Sequence, residues 1–200
     1  MLLDIEAISS VEEHLLTPRE ATRAMRMGPR RRRDFTAARV ALKRLARQLD
    51  LVKENRPDRA IETLGPDDVR PCLAESEIYC SVSHSARLVV AVAHKHPIGV
   101  DLEIVSEKAI RTWHLIRLPW ERDLISLSSL GPESIATRAW TTKEAAAKAL
   151  GLHLFQAIQE VDVVRVGKEE GLMRYQEKTY PVRHGEGNGY VISLITCDDR

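Results

Sequence analysis

Ile98-Gly99-Val100-Asp101-Leu102-Glu103-Ile104, just after Pro97, reads as a strand that carries two acids at alternate positions. Side chains at i and i+2 of a strand share a face, so Asp101 and Glu103 stand side by side and Leu102 turns to the core. Some forty residues on comes Trp140-Thr141-Thr142-Lys143-Glu144-Ala145-Ala146-Ala147-Lys148, with helical periodicity. Trp140, Glu144 and Lys148 fall at i, i+4 and i+8 and share a helix face. The triple alanine allows a neighbour to approach closely. Strand before, long helix after, and more strands beyond set the fold class as α+β.

Working outward, residues 11–27 and 31–51 read as helices. The second has an apolar stripe (Phe35, Ala38, Leu42, Leu45, Ala46, Leu49) opposite a basic face. Residues 53–71 hold Asn55, Pro57, Gly65, Pro66 and Pro71 and read as connection, with a short strand at 60–64. Strands follow at 78–82 and 88–93, separated by Ser83-His84-Ser85-Ala86-Arg87 read as a polar turn. The second half repeats the order. A helical stretch follows Glu107, another opens at Leu118-Pro119-Trp120-Glu121, and a long helix spans 133–150 and stops at Gly151. Strands are expected at 161–166, 173–182 and 190–196. Each half is thus helices followed by a small antiparallel sheet. The halves, 1–104 and 105–200, resemble one another in element order but not in sequence.

The chain has 200 residues and 44% hydrophobic content, sufficient for a packed core, and 4% aromatics, so that core is aliphatic. No apolar run is long enough to cross a bilayer, and the opening Met1-Leu2-Leu3-Asp4-Ile5-Glu6 lacks the basic region of a signal peptide. Cys72, Cys80 and Cys197 have no metal-type spacing; reduced thiols in a cytoplasm are expected. Net charge is +1, yet eleven basic residues lie between Arg19 and Arg47 against Glu20 and Asp34. That stretch is either a solvated helix face or a docking surface for an anionic partner. Nucleic acid is disfavoured, because aromatics to stack bases are nearly absent there.

Two adjacent carboxylates repel unless a cation or proton lies between them. With oxygen ligands only, that cation is Mg²⁺, Mn²⁺ or Ca²⁺ rather than Zn²⁺. Each motif has a plainer reading: a charged strand edge for Asp101 and Glu103, a helix-stabilising pair for Glu144 and Lys148, a hairpin turn for Ser83-His84-Ser85. No glycine-rich nucleotide loop, His-Glu-x-x-His or Cys-x-x-Cys occurs.

Taken together, Ile98–Glu103 and Trp140-Thr141-Thr142-Lys143-Glu144-Ala145-x-x-Lys148 resemble the paired signatures of the 4′-phosphopantetheinyl transferases. Ser81-Val82-Ser83-His84-Ser85 resembles that family's Ser-His-Ser turn, Arg32-Arg33-Asp34-Phe35-x-x-Ala38-Arg39 its basic helix, and Arg70-Pro71 its Lys-Pro. Length and layout are similar to the monomeric surfactin-synthetase-activating type. The resemblance implies two similar halves in a pseudo-twofold arrangement. It implies transfer of 4′-phosphopantetheine from coenzyme A to a serine of an acyl or peptidyl carrier protein, releasing 3′,5′-ADP. Asp101, Glu103 and Glu144 would hold Mg²⁺ (or Mn²⁺), and Glu144 would take the serine proton, directly or through a water. Lys148, and with it Lys143, would neutralise a phosphate oxygen. His84, Ser83 and Arg39 would hold the 3′-phosphate, and Arg70 would lie at the adenine end. The sequence departs from the family at Cys80-Ser81, Ala38, Arg70 and Leu118-Pro119-Trp120-Glu121. The rival classes are a coenzyme A or anion-binding module without turnover, and a metal-dependent phosphohydrolase. Tight coenzyme A binding without transfer marks the first, and phosphate release without a carrier marks the second.

Overall fold

The computed structural model describes residues 1–6, 8, 14–67, 70–73, 77–124 and 129–198. It is a mixed α+β protein with two antiparallel sheets, as expected. The chain divides into two units, Met1–Lys95 and His96–Arg200. The break therefore precedes strand 98–104 instead of following it. That strand pairs along its whole length with the last strand of the chain, which ties it to the second unit.

In the first unit the sheet runs β1 (Leu2–Asp4), β3 (Leu88–His94), β2 (Tyr79–Ser85), all antiparallel. Helix α1 is Pro18–Met25, shorter than expected. Thr17 caps it, accepting from the Glu20 N–H while the Glu20 side chain accepts from the Thr17 N–H, and Pro18 fills the first turn. Residues 11–13 lie outside the described set. Helix α2 is Pro29–Gln48, and its stripe of Ala37, Ala41, Leu42 and Leu45 packs with Ile5, Leu73, Val89 and Ala91. Two of its basic residues, Arg39 and Lys43, are buried and not on a solvated face. In place of a strand at 60–64 there is a short 3₁₀ helix, Asp58–Ala60, and a single bridge between Leu64 and Pro71.

The Ser83-His84-Ser85 segment is a strand, not a turn. The hairpin closes at Ala86-Arg87, with Ala86 in the left-handed region at φ 49°, and Ser85 pairs with Leu88. Period-2 alternation decides it. Ser81, Ser83 and Ser85 share one buried face, while Cys80 and Val82 pack against the core on the other.

In the second unit five antiparallel strands run in the order β4 (Ile98–Ile104), β8 (Tyr190–Thr196), β7 (Lys178–Gly187), β6 (Glu170–Tyr175), β5 (Val161–Val166). The expected strand 173–182 is the tip of a hairpin: Gln176, at φ 54°, turns β6 into β7. Helix α3 (Glu107–Ile116) and a 3₁₀ helix (Pro119–Leu124) precede α4 (Pro132–Leu150), and α5 (Leu154–Glu160) follows it. Gly151, at φ 69°, ends α4 as its spacing foretold. Helix α4 lies on the sheet face that carries Gly99 and Asp101 of β4 and Ser193 of β8. Among the described residues no helix is long and apolar enough to cross a membrane.

Candidate functional site

Gly99 sets the distance between the signature strand and the signature helix. A Cβ there would lie 1.9 Å from the Ala145 carbonyl oxygen and 2.7 Å from the Ala149 nitrogen, so the backbones of β4 and α4 touch directly. Glycine on the strand and the small alanines on the helix are both needed for this approach. Two residues along the same strand face, Asp101 meets α4. Lys148 Nζ donates to Asp101 Oδ1 at 2.8 Å and to the Val100 carbonyl at 2.9 Å.

Although β4 is an edge strand, Asp101 is buried at 1% exposure, which rules out the reading of a solvated charged edge. Leu102 is buried as well, so both faces of the strand are covered. Glu103 and Glu144 are half-buried and Lys148 reaches solvent.

The Glu144 carboxyl is pushed up to about 8. Burial is the largest cause, and the Asp101 charge comes next; Lys148 opposes both, and a hydrogen bond with Asp101 and the Glu103 charge add to the rise. Without a cation, Glu144 thus keeps its proton at neutral pH beside Asp101, and the oxygens of both suit a hard divalent cation. Among the described residues no three His, Cys, Asp or Glu side chains already converge at metal-ligand spacing. Lys148, whose side chain is 32% exposed, lies against Asp101 of this pair. This donor set fits a hard divalent cation, whose charge would take the place of the proton on Glu144.

Lys143 does not face the acids. Its ammonium is fully buried, 3.0 Å from Glu121 Oε1, and donates to the Ile158 and Val161 carbonyls at 3.3 and 2.6 Å. Glu121 in turn accepts from the Val163 N–H at 2.7 Å and the Leu118 N–H at 2.6 Å. Burial pushes Glu121 up and Lys143 down, and their mutual attraction opposes both shifts. The expected phosphate role of Lys143 is therefore withdrawn: its donors are already used. Its neighbours Thr141, Thr142, Ala145 and Ala146 are buried with it.

The first unit holds the residues assigned to the 3′-phosphate and adenine. Arg39 is 5% exposed, donates from Nη1 to the Thr63 carbonyl at 2.7 Å and has its guanidinium 5.1 Å from the Phe35 ring centroid. Its Nε has no hydrogen-bond partner among the described residues. Burial pulls its ionisation below the ordinary value, with Glu20 opposing. Such a buried donor is suited to an anion. Ser83 is buried on β2, while His84, next to it, is exposed. Arg70 is exposed and lies 3.9 Å from Asp67.

Residues 97–195, which contain both signature segments, match the family model described as the 4′-phosphopantetheinyl transferase superfamily. The chain belongs to that superfamily. It is a 4′-phosphopantetheinyl transferase, and enzymes of this superfamily use coenzyme A and a divalent metal and act on carrier proteins. The chain is also similar, nearly end to end, to enterobactin synthase component D. The proteins of Escherichia coli O157:H7 and Shigella flexneri are each 21% identical over 98% of this chain and 92% of their own length. That of E. coli K12 is 22% identical over the same shares.

Proposed function

We propose that this transferase moves the 4′-phosphopantetheine arm of coenzyme A to the serine of an acyl or peptidyl carrier protein, with Mg²⁺ as its cation, and releases 3′,5′-ADP. The observation that carries the reading is the Asp101–Glu144 pair with Lys148 beside it, closed up by the Gly99 contact. Asp101 and Glu144, with Glu103 next along the strand face, would hold the cation. When bound it would neutralise pyrophosphate charge and polarise the phosphorus under attack. The serine oxygen forms the new bond to the β-phosphorus, the pyrophosphate bridge breaks, and the bridging oxygen leaves with ADP. Glu144 accepts the serine proton, directly or through a water, and Lys148 balances charge on a phosphate oxygen. Arg39, Ser83 and His84 are assigned to the 3′-phosphate, and Arg70 to the adenine end. Cys72, Cys80 and Cys197 in thiol form accord with a cytoplasmic setting.

The test is mass spectrometry of candidate apo carrier proteins incubated with enzyme, coenzyme A and Mg²⁺. The carrier should gain the mass of the arm, and Asp101→Ala should abolish the gain while leaving the far-ultraviolet circular dichroism unchanged. No gain on carriers that another transferase modifies, or an unchanged rate in Asp101→Ala, would refute it.

A further inference from the structure

Two buried lysine–glutamate clips recur in this chain, one in each unit. In the second unit, Glu121 reaches back to the N–H three residues earlier, and Lys143 reaches forward to the carbonyl fifteen residues later. In the first unit Glu20 accepts from the Thr17 N–H, also three residues back, and Lys43 donates to the Asp58 carbonyl, also fifteen residues on. Each glutamate also takes a distant N–H, Val163 at a separation of 42 and Thr63 at 43. The Lys43–Glu20 pair is 2.8 Å long and at most 1% exposed. Each lysine sits on the long helix of its unit.

A buried ion pair is a poor source of stability compared with apolar packing. What it does supply is direction: each of its hydrogen bonds fixes an angle as well as a distance. Lys143 immediately precedes Glu144, so the two side chains leave α4 about 100° apart. One flank of α4 is set by the backbone contact at Gly99, which fixes separation. The other is set by the Lys143 cage of Glu121, Ile158 and Val161, which fixes rotation about the helix axis.

A side-chain tip lies about 6 Å from a helix axis, so a 15° rotation carries it about 1.5 Å. Displacement of a reacting group by about 1 Å lowers a rate roughly 100-fold. We infer that Lys143 is a positioning residue: held by Glu121, it sets the axial rotation of α4 and so aims Glu144 at Asp101. This rests on the transferase reading above. It separates the motif lysine from Lys148, whose ammonium lies on the acids themselves.

The experiment compares two paired replacements, Glu121→Gln with Lys143→Met and Glu20→Gln with Lys43→Met. Both remove a buried charge pair at nearly constant volume. Each glutamine keeps one of the two backbone N–H bonds its glutamate accepts, so that cost is common to the two proteins. The Glu121/Lys143 protein should lose about 100-fold in kcat with KM for coenzyme A within about two-fold. It should also bind Mg²⁺ at least ten-fold more weakly by calorimetry. The Glu20/Lys43 protein should keep kcat and Mg²⁺ affinity. Any change there should fall on KM, because Glu20 holds Thr63, whose carbonyl takes Arg39.

Equal kcat losses in the two proteins, tracking their thermal midpoints, would overturn the inference. So would wild-type kcat and Mg²⁺ affinity in a folded Glu121/Lys143 protein. Should the wild type bind Mg²⁺ yet modify no carrier, the transferase reading fails while the Mg²⁺ comparison still judges the positioning role. If the paired replacement does not fold, Lys143→Met alone serves, since Glu121 can meet its loss by protonation.

Discussion

Gly99→Ala adds one methyl group and should uncouple the signature strand from the signature helix. The added Cβ would start 1.9 Å from the Ala145 carbonyl oxygen and 2.7 Å from the Ala149 nitrogen, where real Cβ contacts are essentially never under 3.0 Å. Both obstacles are backbone, so no rotamer change can yield, and α4 must lift from β4 by about 1 Å or more. Overpacking of this kind costs about 1–3 kcal/mol, and two backbone obstacles place it near the upper end. A folded domain of ordinary stability, about 5–15 kcal/mol, survives that loss. With a urea slope of about 2–3 kcal/mol/M, the midpoint should fall by roughly 1 M.

The same lift separates Glu144 and Lys148 from Asp101, so transfer should fall about 100-fold. Urea unfolding followed by circular dichroism and carrier modification followed by mass spectrometry read the two effects. Gly185→Ala is the control: it is also a strand glycine, but a Cβ there meets nothing within 4 Å. It should leave both measurements near wild type. A Gly99→Ala protein with wild-type midpoint and wild-type rate would show that the close approach does not set the site.

Glu144→Gln should leave stability at pH 7 within about 0.5 kcal/mol, because a carboxyl pushed up to about 8 is already mostly protonated there and glutamine mimics it. Transfer should nonetheless be lost, and a Glu144→Gln enzyme at full rate would remove Glu144 from the chemistry. His184 gives a pH signature. Its ring is pushed down to about 4 from 6.5, by burial first and the Arg138 charge second. The unfolded chain therefore takes up the proton first as pH falls. Stability is full above about 6.5 and is lost progressively down to about 4, by roughly 3 kcal/mol in all. Urea midpoints measured across that window should fall less steeply in His184→Asn, and parallel curves would show that His184 is not the group responsible.

Strand 98–104 and helix α4 were legible because period and punctuation agreed: Pro97 before one, Gly151 after the other. Asp101, Glu144 and Lys148 were legible as a set because i, i+2 and i, i+4 spacings put them on single faces. Other features depended on tertiary partners. Ser83-His84-Ser85 has turn-forming residues, and only burial of Ser81, Ser83 and Ser85 on one face makes it strand. The hairpin at Gln176 needed a left-handed residue that is not glycine, so no glycine announced it. Lys43 looked like a surface charge and Lys143 like a phosphate ligand, because their carboxylate and carbonyl partners are remote in the chain.

The paired clips bear on how the molecule arose. Apolar cores can exchange one aliphatic residue for another, so two copies of a fold soon stop resembling each other in sequence. A buried ion pair has no such freedom, because losing either partner strands the other. Offsets of three, fifteen and 42 or 43 residues are shared by Glu20–Lys43 and Glu121–Lys143. In a chain built by duplication they would be the part that drift erases last. A doubled ancestral unit would leave its mark in these buried charges.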